Sequence, residues 1–189
     1  MKRFLAVSLL VFLSASSLVA QEHGSHTPSG QVYREHNLNN SLGFGLSHTH
    51  VFNGVLNGKP KWTILPSFLL DYDYLVNEKW SVGAHFDMVV ENFIFKLEEG
   101  SESIQFVERS FPVSLVATGS YKVFKYLSVQ LGAGGEFVLD GDNYTLIRGG
   151  IEGEYEVGEY YEVFLNASYD YRFDAYHSLT VGLGIKRFF

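Results

Sequence analysis

The feature that most constrains this chain is a two-residue alternation of apolar and polar or small side chains. It begins near Ser41 and continues almost without interruption to Phe189. The final stretch, 177–189, reads HSLTVGLGIKRFF and alternates large aliphatic residues with threonine, glycine and lysine. This period predicts a β-strand with one apolar face and one small or polar face. An unprotected apolar edge strand promotes aggregation, whereas a closed barrel pairs its last strand with its first. We therefore expect a closed barrel.

The alternation divides at turn-forming sequences into eight segments, each long enough to cross a membrane at a tilt. An even number of strands returns both ends of the barrel to one side of the membrane. The predicted fold is all-β, an eight-stranded antiparallel up-and-down transmembrane β-barrel. Its strands are expected near residues 41–52, 61–74, 80–95, 106–121, 127–138, 144–157, 161–171 and 177–189.

Aromatic residues make up 16% of the chain, and they collect at the two ends of the predicted strands. Two aromatic belts are typical of a barrel that crosses a bilayer, and a soluble β-sandwich does not need them. The mean hydropathy of +0.02 fits strands in which only alternate residues are apolar. If the chain starts in the periplasm, the inner belt, at the periplasmic interface, is predicted to contain Tyr72, Tyr74, Trp80, Tyr121, Tyr126, Tyr160 and Phe189. The outer belt, at the opposite interface, is then predicted to contain Phe52, Trp62, Phe106, Tyr144, Tyr171 and Tyr176.

Three regions follow from the composition along the chain. Residues 1–20 have the charged start, short apolar core and small polar end of a cleaved signal peptide. Residues 21–40 are polar and predict a flexible periplasmic arm, and 41–189 form the barrel. The net charge of −7 argues against nucleic acid as a partner. The absence of cysteine excludes a disulfide framework.

This pattern, together with Phe189 as an aromatic last residue, resembles the small eight-stranded outer-membrane β-barrel proteins of Gram-negative bacteria. The resemblance covers Ser41–Phe189 and implies a place in the bacterial outer membrane, where lipid and lipopolysaccharide surround the protein. It also implies that the barrel-assembly machinery recognises the terminal strand. Arg187 departs from the terminal pattern, which often has an apolar residue there. We expect a monomer and no cofactor.

Two prolines fall inside predicted strands, Pro66 in the second strand and Pro112 in the fourth. Proline cannot donate a hydrogen bond to a neighbouring strand. We therefore expect a β-bulge at each proline.

Charged residues occupy the inward positions of the predicted strands. The simplest interpretation is a network of ion pairs that fills the lumen, since buried charges need partners. A second interpretation is a ligand or cation site, because His85, Asp87 and Glu91 share one face of one strand. The candidate set is Asp71, Asp73, His85, Asp87, Glu91, Glu136, Arg148 and Glu152, accompanied by Glu154, Asp170 and Lys186.

His48 and His50 interrupt the apolar face of the first strand near its outer end. Three interpretations remain open for them. They contact lipopolysaccharide phosphates at the membrane interface, they turn inward through a bulge, or they take part in catalysis on the lipid-facing surface. Outer-membrane lipid A deacylases provide the idea of such catalysis, but Ser47 is predicted to face away from His48.

Three functions are therefore compatible with the sequence. The leading one is a structural or ligand-binding protein with a polar, mostly acidic lumen and no catalytic residues. The first alternative is a narrow channel or small-solute transporter whose acidic lumen favours cations. The second is an outer-membrane enzyme acting on lipid A or phospholipid through the groups at His48 and His50 or at His85, Asp87 and Glu91.

Overall fold

A computed structural model describes residues 38–52, 54–56, 59–60, 62–99 and 103–189. The predicted signal peptide at 1–20 lies outside the described residues, as does the predicted arm except for its last three positions. No helix in this part of the chain is long and apolar enough to span a membrane.

The described chain is built from β-strands joined by short turns. Each barrel strand carries the residue alternation predicted from the sequence, so one face of every strand is buried and the other exposed. In chain order the strands are β1 (Asn40–Val51), β2 (Gly54–Leu56), β3 (Lys59–Pro60), β4 (Thr63–Leu75), β5 (Trp80–Val89), β6 (Phe93–Glu99), β7 (Ser103–Arg109), β8 (Val113–Phe124), β9 (Leu127–Phe137), β10 (Tyr144–Glu156), β11 (Tyr161–Arg172) and β12 (His177–Phe188).

Eight of these strands close into an antiparallel barrel in the order β1-β12-β11-β10-β9-β8-β5-β4. The first and last strands pair along their whole lengths, from Ser41 opposite Phe188 to Val51 opposite Ser178. The predicted fold class is therefore confirmed, including the closure of the barrel by the terminal strand. Closure leaves every barrel strand with a partner on both sides, as the membrane interior requires.

At the closing seam, where β1 pairs with β12, glycines of both strands face the lumen. The ring of Phe164, on β11, lies across Gly43, Gly45 and Gly184. A Cβ on Gly184 would collide with that ring and with the carbonyl of Phe44. The glycines therefore make room for an aromatic ring inside the barrel, which explains the small inward residues of β1 and β12.

The remaining strands form a second sheet, here called the outer sheet, in the order β3-β2-β6-β7. The outer sheet differs from the predicted strand pattern in three places. The connection implied between the predicted strands 80–95 and 106–121 belongs to the β6–β7 hairpin, in which Glu99 pairs with Ser103. The connection implied between the predicted strands 41–52 and 61–74 contains β2 and β3. The long strands predicted at 80–95 and 106–121 are each divided between the barrel and the outer sheet.

An apolar core explains why the outer sheet forms. Phe93 and Phe95 of β6 are buried against Val51, Leu65 and Tyr176. These residues lie at the end of the barrel that carries the outer sheet, here called the outer mouth. Burial of such side chains contributes roughly 1.5–3 kcal/mol each. The apolar residues that suggested longer membrane strands thus cover the mouth instead.

The prolines disturb the barrel less than predicted. Pro66 lies in β4 opposite His48, in an uninterrupted register, so the predicted bulge there is wrong. Its carbonyl accepts a hydrogen bond from the amide of Val90, on the side where β5 ends, and a missing donor at that point costs little. Pro112 precedes β8, beside Phe111, whose φ of 47° marks a sharp bend between the outer sheet and the barrel. The register shift in β8 lies instead between Lys122 and Phe124.

Candidate functional site: the lumen and its outer mouth

The middle of the lumen is crossed by a cluster centred on Arg148. Its guanidinium donates to both carboxylate oxygens of Asp170, with Nε–Oδ1 and Nη2–Oδ2 distances of 2.6 and 2.8 Å. It also lies 2.5 Å from Asp87. Asp170 is on the neighbouring strand β11, but Asp87 is on β5, three strands away around the barrel. Arg148 therefore spans the lumen.

A second cluster fills the inner half of the lumen. The ammonium of Lys186 lies 2.6 Å from Glu152 and 3.4 Å from Asp73. His85 stands between two carboxylates, with Nε2 3.1 Å from Asp73 and Nδ1 3.6 Å from Asp71. These residues come from β12, β10, β5 and β4, so this cluster also joins strands that are not neighbours.

A third cluster, centred on Glu136, lies near the outer mouth. One carboxylate oxygen accepts from Arg109, with Nε 3.0 Å away. The other accepts from Arg172 and from the hydroxyl of Tyr176, each at 2.5 Å. Arg109 belongs to β7, so a residue of the outer sheet is ion-paired inside the barrel. Arg109 and Glu136 are both almost completely buried, at 0% and 1% exposed.

Aromatic rings pack against both arginines of this cluster. The guanidinium of Arg109 lies 4.6 Å from the ring centre of Tyr144, and that of Arg172 lies 4.4 Å from that of Tyr176. Arg109 also donates to the carbonyl of Asp142, in the β9–β10 connection. Burial raises the pKa of the Tyr176 hydroxyl well above its ordinary value, although Arg172 opposes the shift. Tyr176 therefore remains a proton donor to Glu136.

The structure brings most of the predicted lumen residues inside the barrel. Asp71, Asp73, His85, Asp87, Glu136, Arg148 and Glu152 are all buried there.

Glu91 is the exception, and its predicted inward position is wrong. It is exposed in the bend that follows β5, because the chain leaves the barrel wall at Val89 and turns into β6. The expected group of His85, Asp87 and Glu91 therefore does not assemble, since Asp87 pairs with Arg148 instead. Within the described ranges, no group of three or more histidine or acidic residues is arranged to hold a metal ion.

Two members of the Glu136 cluster, Arg109 and Arg172, were not predicted from the sequence, and a third, Tyr176, was wrongly predicted in the outer aromatic belt although it is buried. Arg172 could have been found, because it continues the inward alternation of Asp170 on the same strand. Arg109 gave no such signal, since the bend at Phe111 separates its strand from β8. With two additional arginines inside, the lumen is less acidic than the sequence predicted.

His48 and His50 lie on the outward face of β1, and Ser47 is buried on the lumen side. The register of β1 with both neighbours is regular at these positions, so the inward-turning bulge is wrong. His177 also faces outward, at the start of β12. Three of the four histidines in the described part of the chain thus lie on one lipid-facing side near the outer end.

Beside these histidines runs a continuous row of aromatic contacts, here called the ring ribbon. Neighbouring ring centres are separated by 4.6 to 6.1 Å. In order, the ribbon consists of Trp62, Phe52, Tyr169, His177, Tyr171 and Phe173.

Several solved structures share this architecture. The attachment invasion locus protein Ail of Yersinia pestis aligns with a TM-score of 0.51 and 20% identity over 80% of this chain and 99% of that chain. Neisserial surface protein A gives a TM-score of 0.51 with 13% identity over 79% and 97%. OprG from Pseudomonas aeruginosa gives 0.50 with 11% identity over 82% and 98%. No protein-family model and no curated protein matches the sequence.

The closed eight-stranded antiparallel barrel, its apolar exterior and these likenesses define the class. The chain has the fold of the small outer-membrane β-barrel proteins, as the sequence pattern indicated. The apolar exterior suits a barrel that lies in a membrane. Identities this low establish the shared fold and leave the function to be argued from the chain's own residues.

Proposed function

We propose that this protein is a sealed, non-catalytic barrel that anchors the outer sheet at the cell surface as a ligand-binding platform. The observation that carries the proposal is the insertion of Arg109, from the outer sheet, into the buried Glu136 cluster. This ion pair fixes the sheet to the barrel wall. A rigid element above the membrane can bind a partner without the cost of ordering a flexible loop.

Three levels of ion pairs support the sealed lumen. An ion that crosses the barrel must pass the clusters of Glu136, Arg148 and Lys186 in succession. Displacing one partner of a buried ion pair leaves the other charge without compensation, which opposes the opening of such a path. The small cavity at the inner end has a volume of about 50 Å³, which is room for very few waters.

The exposed surface of the outer sheet supports a binding role. Ile94 and Phe106 are 40% and 59% exposed on adjacent strands. Ile94 pairs with Glu108, and Phe106 pairs with Lys96, so apolar and charged side chains alternate on this surface. Exposed apolar side chains on neighbouring strands mark an interaction site where they form a contiguous patch rimmed by polar residues.

The two alternative functions have less support. A cation channel needs a continuous polar path, and the cross-barrel arginine and lysine contacts block one. A lipid-modifying enzyme needs a nucleophile beside a base, and Ser47 and His48 lie on opposite faces of β1.

We also propose that the protein works as a single copy in contact with outer-membrane lipid and lipopolysaccharide, after insertion by the barrel-assembly machinery. The apolar outward faces of β1 and β12 and the closed seam support contact with lipid on all sides.

Planar-bilayer recording tests the sealed lumen. Folded protein, verified by its heat-dependent gel mobility, is expected to give no conductance steps in KCl. Steady single-channel steps that persist after repurification would overturn the proposal in favour of the channel.

Cysteine labelling in intact cells tests the display of the outer sheet, since the chain contains no cysteine. A membrane-impermeant maleimide is expected to label Phe106→Cys. The matched control is Glu159→Cys, in the exposed turn between β10 and β11 at the other end of the barrel. Labelling of the control and not of Phe106→Cys would refute the proposed orientation.

A further inference from the structure

The ring ribbon and the outward histidines occupy one side of the barrel at its outer end. At the same level on the opposite side, the outward residues of β8, β9 and β10 are Val113, Phe137 and Thr145. The ribbon is therefore more than a general aromatic belt. It joins the ends of β1, β11 and β12 with the residue before β4 in one surface.

Along β1, this surface changes character in a fixed order. From the outer end inward, the outward-facing positions are Phe52, His50, His48 and then Leu46, which is 61% exposed. Rings therefore lie outermost, hydrogen-bonding imidazoles follow, and an apolar surface of Leu46, Phe44 and Phe68 lies deepest. An acylated, phosphorylated sugar lipid presents its groups in a matching order, with the sugar and its phosphates outermost, then amide groups, then acyl chains.

An exposed groove begins where the histidines end. It has a volume of about 240 Å³ and lies between β1 and β4, with Leu46, His48, Pro66 and Phe68 among its walls. Val90, which follows the last residue of β5, completes the lining of the groove beside Pro66. The groove is mainly apolar and borders His48, so it can accept part of an acyl chain whose polar head reaches the histidines.

The ring ribbon contains a buried polar atom without a partner. The Nδ1 atom of His177 is inaccessible to solvent and has no hydrogen-bond partner in the described structure. The ring is held between Tyr169 and Tyr171, with centroid distances of 6.1 and 4.6 Å. With Nδ1 enclosed, Nε2 is the atom through which this imidazole can reach a ligand. Tyrosine and tryptophan rings with polar edges suit the sugar level of the interface.

We propose that this side of the barrel binds a phosphorylated, acylated glucosamine lipid of the outer leaflet. The sugar stacks on the ring ribbon, its phosphate and amide groups contact His48, His50 and His177, and one acyl chain enters the groove at Pro66. The inference rests on the proposed contact with lipopolysaccharide, and it assigns that contact to one side of the barrel. It does not depend on the sealed lumen or on the outer sheet.

Lipid titrations of the purified, folded protein in detergent test the site. The probes are lipid A, dephosphorylated lipid A and phosphatidylglycerol, with bound lipid counted by native mass spectrometry. Tyr169→Leu combined with Tyr171→Leu is expected to weaken lipid A binding at least fivefold, because two ring faces that stack on the sugar are lost. The matched control removes two exposed rings elsewhere, Phe137→Leu with Tyr155→Leu, and is expected to change binding by less than about twofold.

A second variant separates the phosphate from the sugar. His48→Gln with His50→Gln is expected to weaken lipid A binding about threefold or more and to weaken binding of the dephosphorylated lipid less, because only the amide contacts are common to both lipids. Trp62→Leu, at the other end of the ribbon, replaces the double tyrosine variant if that one does not fold. Equal losses in the ribbon and control variants would overturn the proposal. So would equal losses for lipid A and phosphatidylglycerol, which would indicate a general interfacial anchor. Neither outcome affects the conductance or labelling tests.

Discussion

The two ends of the lumen are closed in different ways. At the inner end, Lys186 and His85 hold acidic residues in a cluster built only from barrel strands, beside a small polar cavity. At the outer end, Glu136 receives arginines from β7 and β11 and the hydroxyl of Tyr176 from a connection, under an apolar cap. The inner cluster closes a barrel, whereas the outer one also fastens a second sheet onto it.

Only one of the two clusters is explained by strand alternation. The inner cluster follows from strand alternation, which any closed barrel of this size must satisfy with polar side chains. The outer cluster requires a residue from outside the barrel, and it leaves an exposed sheet above the membrane. We therefore place the distinctive role of this protein at the outer end, in the sheet and in the adjacent lipid-facing surface.

The largest expected effect is the loss of the acid that holds the outer cluster. Glu136→Gln removes the carboxylate shared by Arg109 and Arg172, and Arg172 then keeps only its 3.4 Å contact with Asp170. The free energy of unfolding in lipid vesicles is therefore expected to fall by about 3–5 kcal/mol. The matched substitution Glu152→Gln at the inner end is expected to cost less, because it affects one cation rather than two, Lys186 keeps Asp73, and the neighbouring cavity admits water. Urea titrations of both variants measure the difference. Equal costs would contradict the distinction between the two ends.

The apolar cap is expected to give the next largest effect. Phe95→Ala removes a fully buried ring at the mouth and is expected to destabilise the protein by about 3 kcal/mol. Val82→Ala, at a half-exposed lipid-facing position, serves as the control. Because the ion pairs also close the lumen, Phe95→Ala is expected to show no conductance. Conductance in this variant would mean that the cap alone seals the lumen.

The closing seam gives a prediction about assembly. Gly184→Ala places a Cβ against Phe164 and the carbonyl of Phe44, so the folded fraction is expected to fall. Gly149→Ala is the control, since its nearest neighbour in that position would be a side-chain atom of Leu131 at 3.7 Å. Heat-dependent gel mobility measures both. Efficient folding of Gly184→Ala would show that Phe164 can move aside.

The smallest effect concerns pH. Because the pKa of Tyr176 is raised in the folded protein, its protonated form contributes stability that is fully present below its unfolded pKa of about 10. That contribution is lost as the pH rises through the higher folded pKa. Tyr176→Phe is expected to cost about 1 kcal/mol at pH 8 and to weaken the loss of stability between pH 10 and 11. An unchanged profile would show that other groups govern alkaline unfolding.

The parts of the fold that sequence predicted share one physical basis. Alternation fixes which side chains face the lumen, so Asp71, Asp73, His85 and Arg148 were placed correctly without knowledge of their partners. Strand number and barrel closure follow from the same pattern. Partners could not be predicted, because cross-barrel contacts such as Arg148 with Asp87 depend on barrel diameter and stagger rather than on sequence spacing.

The errors also share a cause. Alternation does not reveal where a strand leaves the barrel, so the predicted strand 80–95 extended past Val89 and Glu91 was placed in the lumen. The bend at Phe111 separates β7 from β8, so the alternation of β8 does not show which face Arg109 occupies. Pro66 was expected to distort β4, but its position at the end of β5 removes the need for a donor there.

Hydrogen exchange measures directly whether Arg109 fastens the outer sheet to the barrel. In wild-type protein, backbone amides of Phe93–Glu99 and Ser103–Arg109 should exchange slowly, because Arg109 holds the sheet to Glu136. In Arg109→Met, rapid exchange is expected in the sheet, while β9, β10 and β12 keep their protection. If the sheet exchanges at the same rate in both proteins, Arg109 does not fasten it, and the proposal of a rigid platform on a sealed barrel is contradicted.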